Sequence, residues 1–299
     1  RGNDRCGPDG KAAYHRGELM TLSEARRRTA ERLRASGLES PAREAELLLL
    51  DAAGISRSFL VAHPFFSLED AVVRKLSEMT ARRCAGEPLQ YILGSWEFYG
   101  RPLHVAPGVL IPRSDTEVLV EQALSSLPHE GRFLDWGTGS GCIPLALLAE
   151  RPDLSAVAVD ANPRALGLSW RNLKKYGLLS RCLLWHSRNP EDIPVRDEEL
   201  DLVVSNPPYI PSSRLSSLPG EVRKEPLSAL DGGEDGFCWY RELFRWAPSK
   251  LRHGGRLLFE IGDGEQGGHL AEIAPSCLVF TGIFHDMSRK PRAVSWLRV

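Results

Sequence analysis

Two stretches of the chain place polar groups where a strand should end. The first is Leu202-Val203-Val204-Ser205-Asn206-Pro207-Pro208-Tyr209-Ile210. Its β-branched apolar run predicts a buried strand. Neither proline can donate to a sheet ladder, so the strand should stop at Asn206. Pro207 also biases Asn206 away from helix, which lets the carboxamide project from the strand tip. In an open α/β sheet, ligands bind at that tip. Acceptors on Asn206 and Pro207, beside the flat surfaces of Pro208 and Tyr209, would suit a planar NH2 group. Taken alone, the stretch is equally an ordinary proline-rich turn.

The second stretch is Phe133-Leu134-Asp135-Trp136-Gly137-Thr138-Gly139-Ser140-Gly141, read as a strand, a glycine-rich turn and the start of a helix. Such a turn lets backbone approach a ligand, and the helix start offers free N–H groups. Twenty-one residues after Gly139, Asp160 ends the run Val157-Ala158-Val159. A carboxylate there suits both hydroxyls of a ribose. The pattern is G-x-G-x-G, not the G-x-G-x-x-G of dinucleotide enzymes. Asp135 would repel a pyrophosphate but attract an ammonium. S-adenosylmethionine carries an ammonium, a ribose and a sulfonium and no phosphate, so the charges favour it over NAD.

The chain of 299 residues is long enough for roughly two domains. Its net charge of -1 gives no bulk field for nucleic acid or an acidic membrane. The six cysteines form no C-x-x-C pair, which suits free thiols in a reducing, cytoplasmic setting, or else an organellar matrix. No apolar run is long enough to span a bilayer.

Residues 1–19 lack an apolar period and read as a disordered extension ahead of Met20, with Met20 as initiator. Residues 20–86 read as a small helical bundle. Thr21-x-x-Glu24 opens a first helix as a capping box, Ser40-Pro41 a second, and Ser67-Leu68-Glu69-Asp70 a third. The arginines here (Arg26, Arg27, Arg28, Arg32, Arg34, Arg82, Arg83) read as a solvated face. Residues 87–112 read as a linker in which Gln90 to Gly94 and Trp96 to Gly100 form a hairpin. Ser114-x-x-Glu117 then reads as a capping box opening a helix to about 127. From 113 to 299, strands at 132–136, 155–160, 181–185, 201–205 and 255–261 alternate with helices. This predicts a doubly wound, mostly parallel α/β sheet, closed by an antiparallel hairpin at 277–284 and 292–298.

With these motifs in place, the chain resembles the HemK/PrmC release-factor glutamine methyltransferases, which are class I, Rossmann-like S-adenosylmethionine-dependent enzymes. The resemblance covers about 21–299. It rests on Glu87 to Gly94, on Ile111-Pro112-Arg113-Ser114-Asp115-Thr116-Glu117, and on the glycine loop. It rests also on Asn206 to Tyr209 and on Glu225-Pro226 with Ala229 to Gly236. The resemblance implies a helical domain that docks a class 1 peptide chain release factor. It implies a product methylated at N5 of the glutamine in a Gly-Gly-Gln loop. Asn206, Pro207, Pro208 and Tyr209 would hold the glutamine amide. Asp135, Gly137, Thr138, Gly139, Ser140, Gly141, Asp160, Asn189 and Asn206 would hold the cofactor. The family tends to carry an acid and an aromatic at the adenine edge. Arg188-Asn189 stands there, with Asn189 as base partner and Trp185 for stacking.

No strong base is evident beside the proline motif, and Glu260, at the end of a buried strand before Gly262, reads as a supporting group. His63, His104, His186 and His285 show no metal spacing, and no metal site is expected. Asp231 to Gly236 lacks the spacing of a calcium loop and reads as a structural turn near the substrate. Two other functions use the same residues. An adenine-N6 DNA or RNA methyltransferase would grip a flipped base with the same array. An inactive adaptor would keep only the docking surface. A monomer without direct nucleic-acid or membrane contact is expected.

Overall fold

The computed structural model describes residues 20–299. The extension expected over 1–19 lies outside the described residues. The chain divides into two compact units, the first ending at Ala85 and the second spanning 86–299.

The first unit contains helices α1 (Leu22–Ala35), α2 (Pro41–Ala53), α3 (Arg57–Ala62) and α4 (Asp70–Cys84). Helix α1 starts as its sequence requires. The Glu24 N–H donates to Thr21 Oγ1 at 3.3 Å, and the Thr21 N–H donates back to the Glu24 carboxylate at 3.4 Å. Pro41 stands in the first turn of α2, but Ser40 makes no side-chain cap. Leu22, Leu33, Leu48, Leu49 and Leu76 fill the core. Arg26, Arg27 and Arg28 do face solvent and pair with Glu46, Glu31 and Glu24. Arg83 does not. It continues the buried stripe of Leu76, Met79 and Thr80 on α4, one position in three or four. Its guanidinium is therefore buried and meets Glu44 at 2.6 Å.

The second unit opens with a short helix α5 (Leu89–Leu93) and a hairpin of β1 (Ser95–Phe98) and β2 (Arg101–His104). The expected strand at Gln90 to Gly94 is thus helical. It has no partner strand, and its end is set by Gly94 at φ +68°. The hairpin forms one element later. Phe98 pairs with Arg101 across the two-residue loop of Tyr99 (φ +49°) and Gly100 (φ +70°). Two left-handed residues match the twist of a tight hairpin. Nor is this stretch a free linker, since Phe98 and Leu103 are buried in the core of the second unit.

Seven strands form one sheet: β3 (Arg132–Trp136), β4 (Ser155–Asp160), β5 (Cys182–His186), β6 (Leu200–Ser205), β7 (Leu251–Glu260), β8 (Leu278–His285) and β9 (Pro291–Arg298). Their order is β5-β4-β3-β6-β7-β9-β8. Pairs from β5 through β7 are parallel, and β9 runs antiparallel to both β7 and β8. Period-two alternation splits each central strand between two cores. Phe133, Leu202, Val204 and Leu258 pack with α6 (Glu117–Ser126), α7 (Cys142–Glu150) and α8 (Pro163–Lys175). Leu134, Val203, Leu257 and Phe259 pack with α9 (Cys238–Lys250) and α10 (Gly264–Ile273). The sheet is thus covered on both faces, and the strand order reverses between β3 and β6.

The predicted Ser114 capping box is not formed. Residues Ser114–Thr116 wind as a tight turn, and Glu117 instead accepts from the Tyr99 N–H at 2.9 Å. The left-handed hairpin turn leaves that N–H outside the ladder, and the carboxylate satisfies it.

Asn172, fully buried on α8, fastens the hairpin to the sheet. Its carboxamide accepts from the His104 N–H at 2.7 Å and donates to the carbonyls of His104 and Ser140 at 3.0 and 2.8 Å. Asn172→Ala strands a buried carbonyl and is expected to lower stability by about 2–4 kcal/mol. Urea unfolding checks this, and an unchanged midpoint would contradict it.

Candidate active site

The tips of β3, β4 and β6 meet at the reversal point, and there the sequence motifs converge. After Trp136, the Gly137 and Thr138 N–H groups both donate to the Val159 carbonyl at 2.9 Å, which ties the glycine loop to β4. Gly137, Gly139 and Gly141 all adopt positive φ. Gly141 shows why the last of these has no side chain, since a Cβ there would lie 2.9 Å from Ser169 Oγ. Ser169 Oγ in turn donates to the Gly139 carbonyl at 2.9 Å.

Asp160, at the end of β4, accepts from the Gly139 N–H through one oxygen and from the Asn162 N–H through the other, both at 2.8 Å. The Asn162 carboxamide then donates to the Gly108 carbonyl. Burial raises the Asp160 pKa, while those two backbone donors pull it back down. Each carboxylate oxygen keeps a lone pair for a further donor.

These residues border a cavity of about 620 Å³. Gly137, Thr138, Gly139, Ser140, Asp160, Asn206 and Pro208 are on its wall. Trp136 and Trp239, with ring centres 5.1 Å apart, form an aromatic part of it. Pro207 and Tyr209 instead line a second pocket of about 140 Å³, together with Glu260. The two spaces share Asn206, Leu110, Arg113 and Ala229, so Asn206 stands at the junction. Asp135 and Gly141 lie behind the wall.

Asn189 is not brought to either space. Its carboxamide oxygen accepts from the Glu191 N–H at 3.1 Å and caps a tight turn over Pro190–Asp192. Asparagine before proline favours this local use of the side chain. Ser187 and Arg188 line the cavity there instead. Trp185 is turned outward, its indole N–H on the Asp192 carbonyl.

The strand tip is held firmly. Ser205 Oγ donates to the Trp136 carbonyl at 2.7 Å, which joins β6 to β3 just below the motifs. Asn206 Nδ2 donates to Thr116 Oγ1 at 3.2 Å, which leaves the side-chain oxygen for another donor. The loop 231–236 packs against Tyr209. A Cβ on Gly236 would lie 2.6 Å from the Tyr209 carbonyl oxygen, and one on Gly232 2.8 Å from its Cα. Ile210 bridges to the same loop, donating to Leu230 and accepting from Gly232. The acidic run that resembled a calcium loop is thus a clamp on the proline motif.

Sequence reasoning left Glu225 and Thr116 without roles. Glu225, buried, accepts from the Ile111 N–H at 3.0 Å and from the Arg113 guanidinium. That bond joins two motifs 112 residues apart. Both were visible as Ile-Pro-Arg and Glu-Pro strings, but nothing in their spacing linked them.

Asp135 and Glu260 are buried acids. Neither Asp135 oxygen has a hydrogen-bond partner among the described residues, and Glu260 Oε2 has none either. Burial pushes each carboxyl up to about 7. Because each folded value lies above the unfolded one, the contribution of these two acids to stability is fully present below about pH 4 and is lost as pH rises through about 7. Asp135→Asn is expected to make that slope shallower and to raise stability at about pH 8 by about 1–3 kcal/mol. Thermal melts across that range check it, and an unaltered slope would contradict it.

The chain matches the model of the PrmC N-terminal domain over residues 24–94 and that of the methyltransferase small domain over 113–217. Release factor glutamine methyltransferase of Geobacter sulfurreducens is 42% identical over 83% of this chain and 86% of its own length. The enzyme of that name from Moorella thermoacetica is 43% identical over 85% and 90%. The one from Escherichia coli is 38% identical over 87% and 91%. Among solved structures, a methyltransferase from Pyrococcus furiosus superimposes with a TM-score of 0.50 at 15% identity, covering 74% of this chain and 98% of that one. The hMettl16 catalytic domain gives 0.51 at 15% identity over 73% and 81%. The structural likeness establishes a methyltransferase fold, and the sequence identity over nearly full length establishes more: the chain belongs to the release factor glutamine methyltransferase family.

Proposed function

We propose that the protein transfers a methyl group from S-adenosylmethionine to the side-chain amide nitrogen, N5, of the glutamine in the Gly-Gly-Gln motif of a class 1 peptide chain release factor. The observation that carries this reading is the position of Asn206. It stands between a cavity large enough for a nucleoside cofactor and a small pocket walled by Pro207 and Tyr209.

The larger cavity fits the cofactor's chemistry. Asp160 keeps lone pairs for ribose hydroxyls. Thr138 Oγ1 and Ser140 Oγ are buried without hydrogen-bond partners among the described residues. Asp135 lies behind the loop, where a negative charge favours a cationic ligand. Bound there, the sulfonium supplies an activated methyl group and a neutral leaving group.

The chain's own residues do the rest. An amide nitrogen is a poor nucleophile because its lone pair is shared with the carbonyl. The Asn206 oxygen, freed by the bond from Nδ2 to Thr116, accepts from the amide N–H and offsets positive charge developing on nitrogen. The Pro207 carbonyl has no ladder partner and is a second acceptor. Pro208 and Tyr209 wall the plane and exclude water, and burial keeps the Tyr209 phenol protonated. Fixed orientation contributes much of the remaining acceleration.

The helical first unit is the docking domain for the release factor. A charge near neutral and a first unit of modest size give no surface for a DNA duplex, which favours a protein substrate over an adenine base. Among the described residues no helix is long and apolar enough to cross a membrane. The enzyme acts as a monomer in the cytoplasm.

Asn206→Ala is expected to reduce kcat by about 10²-fold while leaving cofactor affinity nearly unchanged. Single-turnover methylation and calorimetry together check this, and near wild-type turnover would remove Asn206 from the mechanism. Asp160→Ala should instead weaken cofactor binding by about 1–3 kcal/mol. Unchanged affinity by calorimetry would show that Asp160 serves only the loop.

A further inference from the structure

The second pocket contains an acid that the mechanism above leaves unused. Glu260 ends β7, beside β6, and is 3% exposed. It shares the pocket wall with Asn206, Pro207 and Tyr209. Its Oε2 has no hydrogen-bond partner among the described residues, whereas the buried Glu225 nearby accepts from both the Ile111 N–H and the Arg113 guanidinium. A buried carboxylate oxygen without a donor is unfavourable for folding unless something else supplies the donor.

The pocket offers one. A primary carboxamide has two N–H donors; Asn206 Oδ1 takes one, and the other is shared between the Pro207 carbonyl and Glu260 Oε2 as a three-centre bond. We propose that Glu260 Oε2 accepts a hydrogen bond from the substrate amide NH2 and takes the proton that nitrogen releases as the methyl group is transferred. This inference rests on the function proposed above. As the C–N bond forms and the C–S bond breaks, positive charge develops on nitrogen. In the same step the N–H bond breaks, its electron pair returns to nitrogen and keeps amide resonance, and the proton forms an O–H bond on Oε2. Glu260 ends neutral and later loses that proton to water.

The surroundings suit the task. Thr116 adjoins the Glu260 carboxyl and lowers its pKa, and its hydroxyl accepts from Asn206 Nδ2. With Nδ2 spent on Thr116, the Asn206 oxygen is left for the substrate. Burial holds the Glu260 carboxyl near neutral pH, where a proton acceptor works best. Asp115 reinforces that shift, while Arg292 and Arg113 oppose it. Tyr209, Tyr240 and Cys142 also feel its charge and are themselves held protonated by burial.

The test measures kcat/KM for a class 1 release factor against pH at saturating S-adenosylmethionine, with the limb assigned by comparing wild type with Glu260 variants. Wild-type enzyme is expected to rise through about pH 7 and level off above it. Glu260→Gln keeps the shape but cannot take a proton. It should lose about 10²-fold and show no limb near neutrality. Its cofactor affinity and its melting temperature at about pH 8 should not fall, because a buried charge has been removed. Glu260→Asp, which keeps the carboxylate, should retain the limb at a reduced rate, and it carries the test if the Gln variant does not fold. Glu260→Gln within about threefold of wild type with the limb intact would overturn the proposal. So would a loss of rate matched by a loss of folding or cofactor binding in both variants. Wild-type enzyme that leaves the glutamine unmethylated overturns the functional reading, and this inference with it.

Discussion

Two consecutive prolines deny β6 a further ladder bond, and the site is arranged around that denial. A strand that cannot continue must end with unpaired carbonyls at the sheet edge. Here the end falls beside β3, where the strand order reverses and leaves a crevice. Ser205 fixes the height of the tip against the Trp136 carbonyl, so the glycine loop and Asn206 are held in one frame. Thr116 then fixes the Asn206 carboxamide, and the loop with Gly232 and Gly236 clamps Tyr209 at distances that tolerate no side chain.

The same region concentrates unfavourable energy. Among the described residues, Asp135 and Glu260 are buried acids with unpartnered oxygens, and the Thr138 and Ser140 hydroxyls of the glycine loop are unpartnered too. A fold selected for stability alone would neutralise or pair them. Hydrophobic packing on both faces of the sheet offsets their cost, with Phe133, Phe259 and Trp296 fully buried beside them in the sheet. Unpaired polar groups held in place suit a cation and an amide, and they are the electrostatic preorganisation on which the proposed chemistry depends.

Much of this arrangement was legible in the sequence. Alternating apolar strands, helix periods and the glycine turn gave the doubly wound sheet, and Pro207-Pro208 placed the end of β6. What escaped was tertiary competition for single groups. Glu117 was read as a cap for its own helix, yet a left-handed turn eighteen residues earlier claims it. Asn189 was read as a base partner, but the following proline makes it a local cap. Arg83 looked solvent-exposed by charge, and only the stripe on α4 shows that it turns inward. Glu225 with Arg113, and Glu260 with Thr116, are pairs across long sequence separation, which no local pattern encodes. The hairpin was displaced by one element because short apolar runs do not distinguish a helical turn from a strand.

The central claim is that a carboxamide nitrogen, held at Asn206, receives the methyl group. The most direct measurement incubates a class 1 release factor with the protein and isotopically labelled S-adenosylmethionine, and then maps the label by peptide mass spectrometry. The account predicts one labelled methyl group on the side chain of the Gly-Gly-Gln glutamine, absent when that glutamine is replaced. Label on another residue, on the adenines of added nucleic acid, or nowhere would contradict it.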